Sequence, residues 1–183
     1  VGNRFYAFDI LENMGHDWRP YTYHYRMVAL RELLVELEFG PVIVAETYRD
    51  EEKRAAIARL RAENKEGIVF KNLEAPWSAG RPASGGNALK MKFWATCSCV
   101  VARVNAKRSV EIALGGGNMG NVTIPPNQAI PGVGQVVEIR YLYVNGPGGS
   151  LYQPIYLGTR DDVPAADCTV EKQRLKYKAG GED

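Results

Sequence analysis

The apolar positions change their spacing partway along the chain. Arg4 to Leu11 is a run rich in aromatic and aliphatic side chains, which predicts a strand. Met27, Leu30, Leu34 and Leu37 then recur at helical spacing until Gly40-Pro41 stops the run. Val42 to Ala45 reads as a buried strand. Asp50 suits the N-cap of a second helix over Glu51 to Asn64, with acids in its first turn, Ile57 and Leu60 facing inward and basic residues outward. Gly67 to Phe70 predicts another short apolar strand, and Glu74 to Asn87, rich in Gly, Pro and Ser, reads as a loop.

Beyond Lys92 the helical period fades. Cys97 to Val104, Ser109 to Leu114, Val136 to Val144 and Tyr152 to Leu157 are β-rich runs separated by turns containing Gly, Pro and Asn. Five or so such strands predict a small barrel. The order strand, helix, strand, helix, strand before it, starting at residue 4 with no preceding turn, looks like the interior of a larger α/β layer. The expectation is therefore an α+β chain in two parts, residues 1–93 and 94–183, with Val1 an artificial or proteolytic start.

Composition narrows the class. A chain of 183 residues with 45% hydrophobic residues and 19 glycines is neither disordered nor collagen-like. It has no run of about 18 apolar residues, and the opening Val-Gly-Asn-Arg-Phe-Tyr has neither the basic nor the apolar region of a signal peptide. A soluble, cytoplasmic protein is expected. Cys97, Cys99 and Cys168 cannot complete a disulfide framework, and their spacing fits no zinc site, so they are expected as reduced, buried thiols. The net charge of +2 is shared almost evenly between the residues before and after Phe93, so neither part is an acidic or a basic domain.

Three segments carry chemistry. In Phe5-Tyr6-Ala7-Phe8-Asp9-Ile10-Leu11 a strand puts Tyr6 and Phe8 on one face and Asp9 on the other. An aromatic beside a pocket can stack on a purine; the same residues also suit a core strand ending in an exposed acid. Glu66-Gly67-Ile68-Val69-Phe70-Lys71 places a carboxylate at the mouth of an apolar strand, followed by a glycine that leaves room for a ligand. A hard cation such as Mg2+ binds through one or two carboxylates plus substrate phosphates, although a solvated helix-to-strand turn has the same pattern. In Leu89-Lys90-Met91-Lys92-Phe93-Trp94 two lysines project from one strand face. A phosphate between them relieves their repulsion, whereas a merely solvated face leaves them apart.

Taken in order, Phe-Asp-Ile-Leu, Glu-Gly-Ile-Val-Phe-Lys and Leu-Lys-Met-Lys-Phe resemble motifs III, IV and V of the ATP-dependent DNA ligases, within the covalent nucleotidyltransferases. The loop Arg81-Pro82-Ala83-Ser84-Gly85-Gly86-Asn87 is similar to that of the small bacterial and phage-type enzymes. The resemblance implies the C-terminal part of a nucleotidyltransferase (adenylation) domain followed by an OB-fold that clasps duplex DNA. It implies a monomeric ligase using ATP and Mg2+ to seal nicked duplex DNA through enzyme-AMP and DNA-adenylate. Phe8 would stack on adenine, Glu66 would support metal and phosphate chemistry, and Lys90 and Lys92 would hold the α-phosphate, with Asp9 in the same nucleotide-binding set.

The chain departs from that pattern twice. The family's nucleophile is the lysine of a Lys-x-Asp-Gly motif, which occurs nowhere in this sequence, so the lysine lies on a missing N-terminal segment or the chain cannot adenylate itself. Gly158-Thr159-Arg160-Asp161-Asp162-Val163 is similar to motif VI in its Arg-Asp-Asp core, but glycine and valine stand where basic residues are expected. Arg160 is the remaining basic candidate there for orienting pyrophosphate. Arg103, Lys107, Arg108 and Arg140 are candidates for DNA phosphates, or a solvated barrel surface. Lys172, Arg174, Lys176 and Lys178 would form one basic face if extended, or a frayed tail. His16 and His24 read as polar surface, and Trp18, Trp77 and Trp94 as packing residues. An RNA ligase or mRNA-capping guanylyltransferase shares the motif order, and a free-standing OB-type nucleic-acid module would use the second part alone.

Overall fold

The computed structural model describes residues 5–36, 41–80 and 86–179. Val1, Leu37, Gly40 and the Arg81–Gly85 part of the motif loop lie outside the described residues. The chain forms two compact units. One takes in the described residues up to Ile57 together with Ile68–Met91; the other takes in Ala58–Gly67 and the described residues from Lys92 onward.

The first unit opens with β1 (Phe5–Ala7), followed by the small hairpin of β2 (Glu12–Asn13) and β3 (His16–Asp17), and then α1 (Tyr23–Glu36). Arg4 lies outside the described residues, and the strand expected to run on to Leu11 ends at Ala7 because, among the described residues, β1 pairs only with β4 (Val42–Val44), in parallel, Phe5 opposite Val42 and Ala7 opposite Val44. From α1, Tyr23, Met27 and Leu30 face inward at helical spacing and pack with Ile10, while Ala7, Trp18 and Val44 border this small core. The second helix, α2 (Glu52–Ala62), starts later than its sequence suggests. Asp50 has φ +45°, which the extended conformation of an N-cap excludes, so the predicted cap is a turn residue instead. β5 (Gly67–Lys71) and β6 (Ala88–Lys92) pair as a two-stranded sheet.

The second unit is built on β7 (Ala95–Val104), β8 (Ser109–Leu114), β9 (Gly117–Thr123), β10 (Val136–Tyr141) and β11 (Ile155–Thr159). They form one antiparallel sheet in the order β11-β10-β7-β8-β9. β9 and β11, at opposite ends of that order, touch, so the sheet curls into a barrel of the OB class. Period-two alternation fills the interior with Cys97, Cys99, Val101, Val110, Ile112, Leu114, Val137, Ile139 and Tyr141, all buried. All three cysteines are free and buried, as expected, and Cys97 Sγ lies 3.6 Å from Cys99 Sγ. Hydrogen bonding to Cys97 and then burial push the Cys99 thiol far above its ordinary pKa.

The basic C-terminal stretch is neither one extended face nor a frayed tail. Thr169 caps α3 (Val170–Gln173), its hydroxyl oxygen accepting from the Lys172 N–H at 3.4 Å, and Arg174 turns the chain with φ +45°. Lys172 pairs with Asp167 at 2.5 Å. Tyr177 then bridges Val144 in parallel, with Val144 N–H donating to the Lys176 carbonyl at 2.8 Å. Among the described residues no helix is long and apolar enough to cross a membrane.

Candidate nucleotide and phosphate site

Phe8, Asp9 and Lys90 belong to the first unit, Glu66 and Lys92 to the second. In the first unit, the end of β1, α1 and the end of β5 enclose a cleft of about 310 Å3 lined by Phe8, Asp9, Tyr23, Arg26, Lys71 and Trp77, among others. Phe8 is 63% exposed there, as a ring available for stacking must be. Asp9 is not an exposed acid: Arg26 Nε donates to Oδ1 at 2.7 Å, Arg26 Nη2 to Oδ2 at 3.1 Å, and Lys71 Nζ to Oδ2 at 3.3 Å. Burial pushes the Asp9 carboxyl up, but the Arg26 hydrogen bond and the charges of Lys71 and Arg26 outweigh it, so its pKa lies below the ordinary value.

The same groups fix the backbone that carries Phe8. Tyr23 Oη donates to the Phe8 carbonyl at 3.1 Å and Lys71 Nζ donates to it at 3.2 Å. The Lys71 ammonium also sits 5.1 Å from the Phe8 ring centroid and 4.1 Å from that of Tyr23. Two cations against one carboxylate leave the cleft with a net positive charge, which suits a nucleotide's phosphates. Sequence reasoning quoted Lys71 only as the end of a strand and missed Tyr23 and Arg26, whose separation from Asp9 follows no motif spacing. Lys90 is exposed on β6.

In the second unit the Phe93 N–H donates to the Glu66 carbonyl at 2.9 Å. Lys176 Nζ donates to the carbonyls of Lys65, at 2.9 Å, and Phe93, at 2.7 Å, so a residue read as part of a basic face tethers both segments that flank Glu66. Burial lowers the Lys176 pKa, while the nearby Glu66 charge opposes that shift. Lys92 Nζ donates to Gln153 Oε1 at 2.6 Å.

Among the described residues no three Asp, Glu, His or Cys side chains converge on a metal position. Asp9 is committed to Arg26 and Lys71. Glu66 is exposed and makes no hydrogen bond through its carboxylate, nor any ion pair, with another described residue. A single free carboxylate fits a magnesium ion that takes its remaining oxygens from phosphates and water.

The other sequence candidates differ in availability. Arg160 is held by both oxygens of Asp162, each at 2.7 Å, and by Glu138 at 3.1 Å. The Asp162 carboxyl is drawn down to about 2 by its Arg160 hydrogen bonds. Arg103 pairs with Glu111 at 2.7 Å, and Arg108 donates to the carbonyls of Ile124, Pro125 and Gln128. Lys107 is exposed. Arg140 and Lys92 both lie against the ring of Trp94, which is therefore more than a packing residue. His16 meets the Trp18 ring edge-on and the Tyr21 ring at a tilt, and His24 Nδ1 lies 3.1 Å from Arg49 Nη2.

No protein-family model matches the chain, and no curated protein matches it. Solved structures do. A Lig E DNA ligase, described as binding DNA with a minimal scaffold, superposes with a TM-score of 0.68 at 17% identity, covering 86% of this chain and 63% of its own. The structure named Pmar-Lig_Pre gives a TM-score of 0.62 at 14% identity over 78% of this chain and 40% of its own. The ligase domain of M. tuberculosis LigD aligns over 91% of this chain and 65% of its own at 22% identity, with a TM-score of 0.46. The chain has the fold of DNA ligases, and it spans less than two thirds of the length of these structures.

Proposed function

We propose that this chain is the part of an ATP-dependent DNA ligase that runs from the adenine-stacking strand through the OB-fold. The observation that carries the reading is the pairing of β5, which begins just after Glu66, with β6, which bears Lys90 and Lys92, on a fold shared with a DNA ligase. Phe8 offers its exposed ring to adenine, and its backbone is held by Tyr23 and Lys71. Lys90 and Lys92 supply point charges to the α-phosphate, where negative charge grows as the phosphorus is attacked. Glu66 would hold Mg2+, which when bound neutralises phosphate charge.

Sealing is three displacements at phosphorus in the complete protein. A lysine amine attacks the α-phosphorus of ATP and pyrophosphate leaves. The DNA 5′-phosphate then attacks the same phosphorus and releases the lysine; the neighbouring 3′-hydroxyl attacks the 5′-phosphate, forms the phosphodiester and expels AMP. This chain has no Lys-x-Asp-Gly lysine for the first displacement. The third needs none, so a nicked duplex already carrying a 5′-adenylate tests the reading directly. With magnesium and no ATP, ligated strand plus free AMP is the expected result. A duplex that is bound and never sealed would leave a nucleic-acid binding module as the better description.

A further inference from the structure

Glu66 stands between the end of α2 and the start of β5. Asn64, with φ +54°, closes the helix: its N–H donates to the Arg61 carbonyl at 3.1 Å and the Lys65 N–H donates to the Leu60 carbonyl at 3.0 Å, the paired bonds of a left-handed helix end. The Lys65 carbonyl accepts from Lys176 Nζ, and the Glu66 carbonyl accepts from the Phe93 N–H. The backbone on both sides of the Glu66 Cα is thereby fixed, while the carboxylate has no partner of its own among the described residues. Placement of that carboxylate therefore depends on what holds the backbone.

Lys176 is itself held from the barrel core. Tyr141, the fully buried last residue of β10, accepts the Lys176 N–H through its hydroxyl oxygen at 3.0 Å, and the Lys176 carbonyl accepts from the Val144 N–H at 2.8 Å. With both backbone groups engaged, the half-buried side chain reaches the carbonyls of Lys65 and Phe93, at 2.9 Å and 2.7 Å. An ammonium group can serve both acceptors at once, and a charged donor makes each bond stronger than a neutral one would be. A run of hydrogen bonds thus leads from Tyr141, inside the barrel, through Lys176 to the two segments that meet at Glu66. Every residue in it belongs to the second unit.

We propose that Lys176 and, behind it, Tyr141 are positioning residues that set Glu66 for a divalent cation, so that the barrel rather than the strand after Glu66 decides where the carboxylate stands. The inference rests on the reading of Glu66 as the magnesium carboxylate. A cation that draws most of its oxygens from phosphates and water gains from a carboxylate already in place, because a mobile one must be ordered when the cation binds. Lys176 and Tyr141 act only through Glu66, as groups behind a metal ligand do.

The test places the whole chain on a nicked duplex that carries a 5′-adenylate and lacks the 3′-hydroxyl, so that nothing is consumed. Mn2+ is titrated in and its free fraction followed by electron paramagnetic resonance, with duplex affinity and melting temperature measured alongside. Lys176→Met should weaken Mn2+ binding roughly tenfold, the scale of loss when the support of a metal ligand is removed, while duplex affinity holds. Lys176→Arg keeps a charged donor and should recover part of the loss. Tyr141→Phe removes one hydroxyl and should shift Mn2+ binding the same way by less. The double variant should be no weaker than Lys176→Met alone, because the two residues act in series. In a Glu66→Gln background Lys176→Met should change nothing. Wild-type Mn2+ affinity in a folded Lys176→Met chain, beside a weakened Glu66→Gln, overturns the positioning role and leaves Glu66 as the metal carboxylate. Wild-type affinity in Glu66→Gln removes the metal reading of Glu66, and this inference with it.

Discussion

The guanidinium of Arg26, only 3% exposed, closes on both oxygens of Asp9, 17 residues away in the sequence. Its remaining nitrogen, Nη1, donates to the Tyr21 carbonyl at 2.7 Å, so all three guanidinium nitrogens have acceptors. A buried charge satisfied in this way is tolerated, whereas one that loses its partner is costly. The pair joins the end of β1 to α1 beneath the ring proposed for adenine.

Replacing Arg26 by Met removes one of the two cations facing Asp9 and the hydrogen bonding that does most to hold its pKa down. Loss of one partner of a buried pair costs about 3–5 kcal/mol, and Lys71, which still faces Asp9, keeps the expected cost near the lower figure. Urea denaturation measures it. A midpoint equal to wild type would show that the pair contributes nothing net.

Acid acts through the same carboxylate. Asp9 has a folded-state pKa below its ordinary value, so its contribution to stability is complete above roughly pH 4, the unfolded value, and is lost as pH falls through the lower folded value. Asp9→Asn should flatten that part of the stability profile between neutral pH and acid. Identical acid limbs for variant and wild type would assign the loss to other carboxylates.

Lys90 and Lys92 are where a phosphate site and a solvated strand face differ most. In sealing of the adenylated nick, Lys90→Ala and Lys92→Ala should each lose roughly 10²-fold to 10³-fold in rate. Lys90 is exposed, so its removal should stay within about 0.5 kcal/mol in stability. Near-normal sealing by both folded variants returns the pair to an ordinary surface.

Self-adenylation should fail. Incubation with radiolabelled ATP and magnesium, followed by denaturation, is expected to leave the chain unlabelled, because no Lys-x-Asp-Gly lysine is present. A stable labelled band would identify another lysine as nucleophile and would falsify the assignment of Lys90 and Lys92 to phosphate binding alone.

Lys176→Met would strand two carbonyls, those of Lys65 and Phe93. The carbonyl of buried Phe93 left without a donor costs on the order of 1 kcal/mol, whereas that of exposed Lys65 can turn to water, and amide exchange near Glu66 should quicken. Unaltered exchange there would mean that the Phe93–Glu66 bond holds the segment unaided.

Regular local patterning was the readable part of the fold. Ser109–Leu114 alternates buried and half-exposed residues without a break, and its strand has the bounds its pattern predicts. β9 escaped because Gly117, Asn118, Gly120 and Asn121 are turn formers; pairing with β8, Asn121 opposite Glu111 and Asn118 opposite Ala113, overrides that preference. The motif runs name Phe8, Glu66, Lys90 and Lys92 as candidates, since each lies in a short contiguous run. Arg26 was invisible: a charged residue amid a helix predicts a solvent face, and its burial depends on a distant carboxylate. The tail misled for a similar reason, because alternation of Lys and Arg says nothing of carbonyls 111 and 83 residues away that claim one of them.

The neighbouring thiols of Cys97 and Cys99 turn the barrel into its own reporter. Shielded on one interior face of β7, both are closed to an alkylating reagent while the sheet is closed, and the Cys99 thiol is in addition hard to deprotonate. Their labelling rate therefore counts the openings of the barrel, one molecule at a time, in a protein whose surface holds no competing cysteine among its described residues.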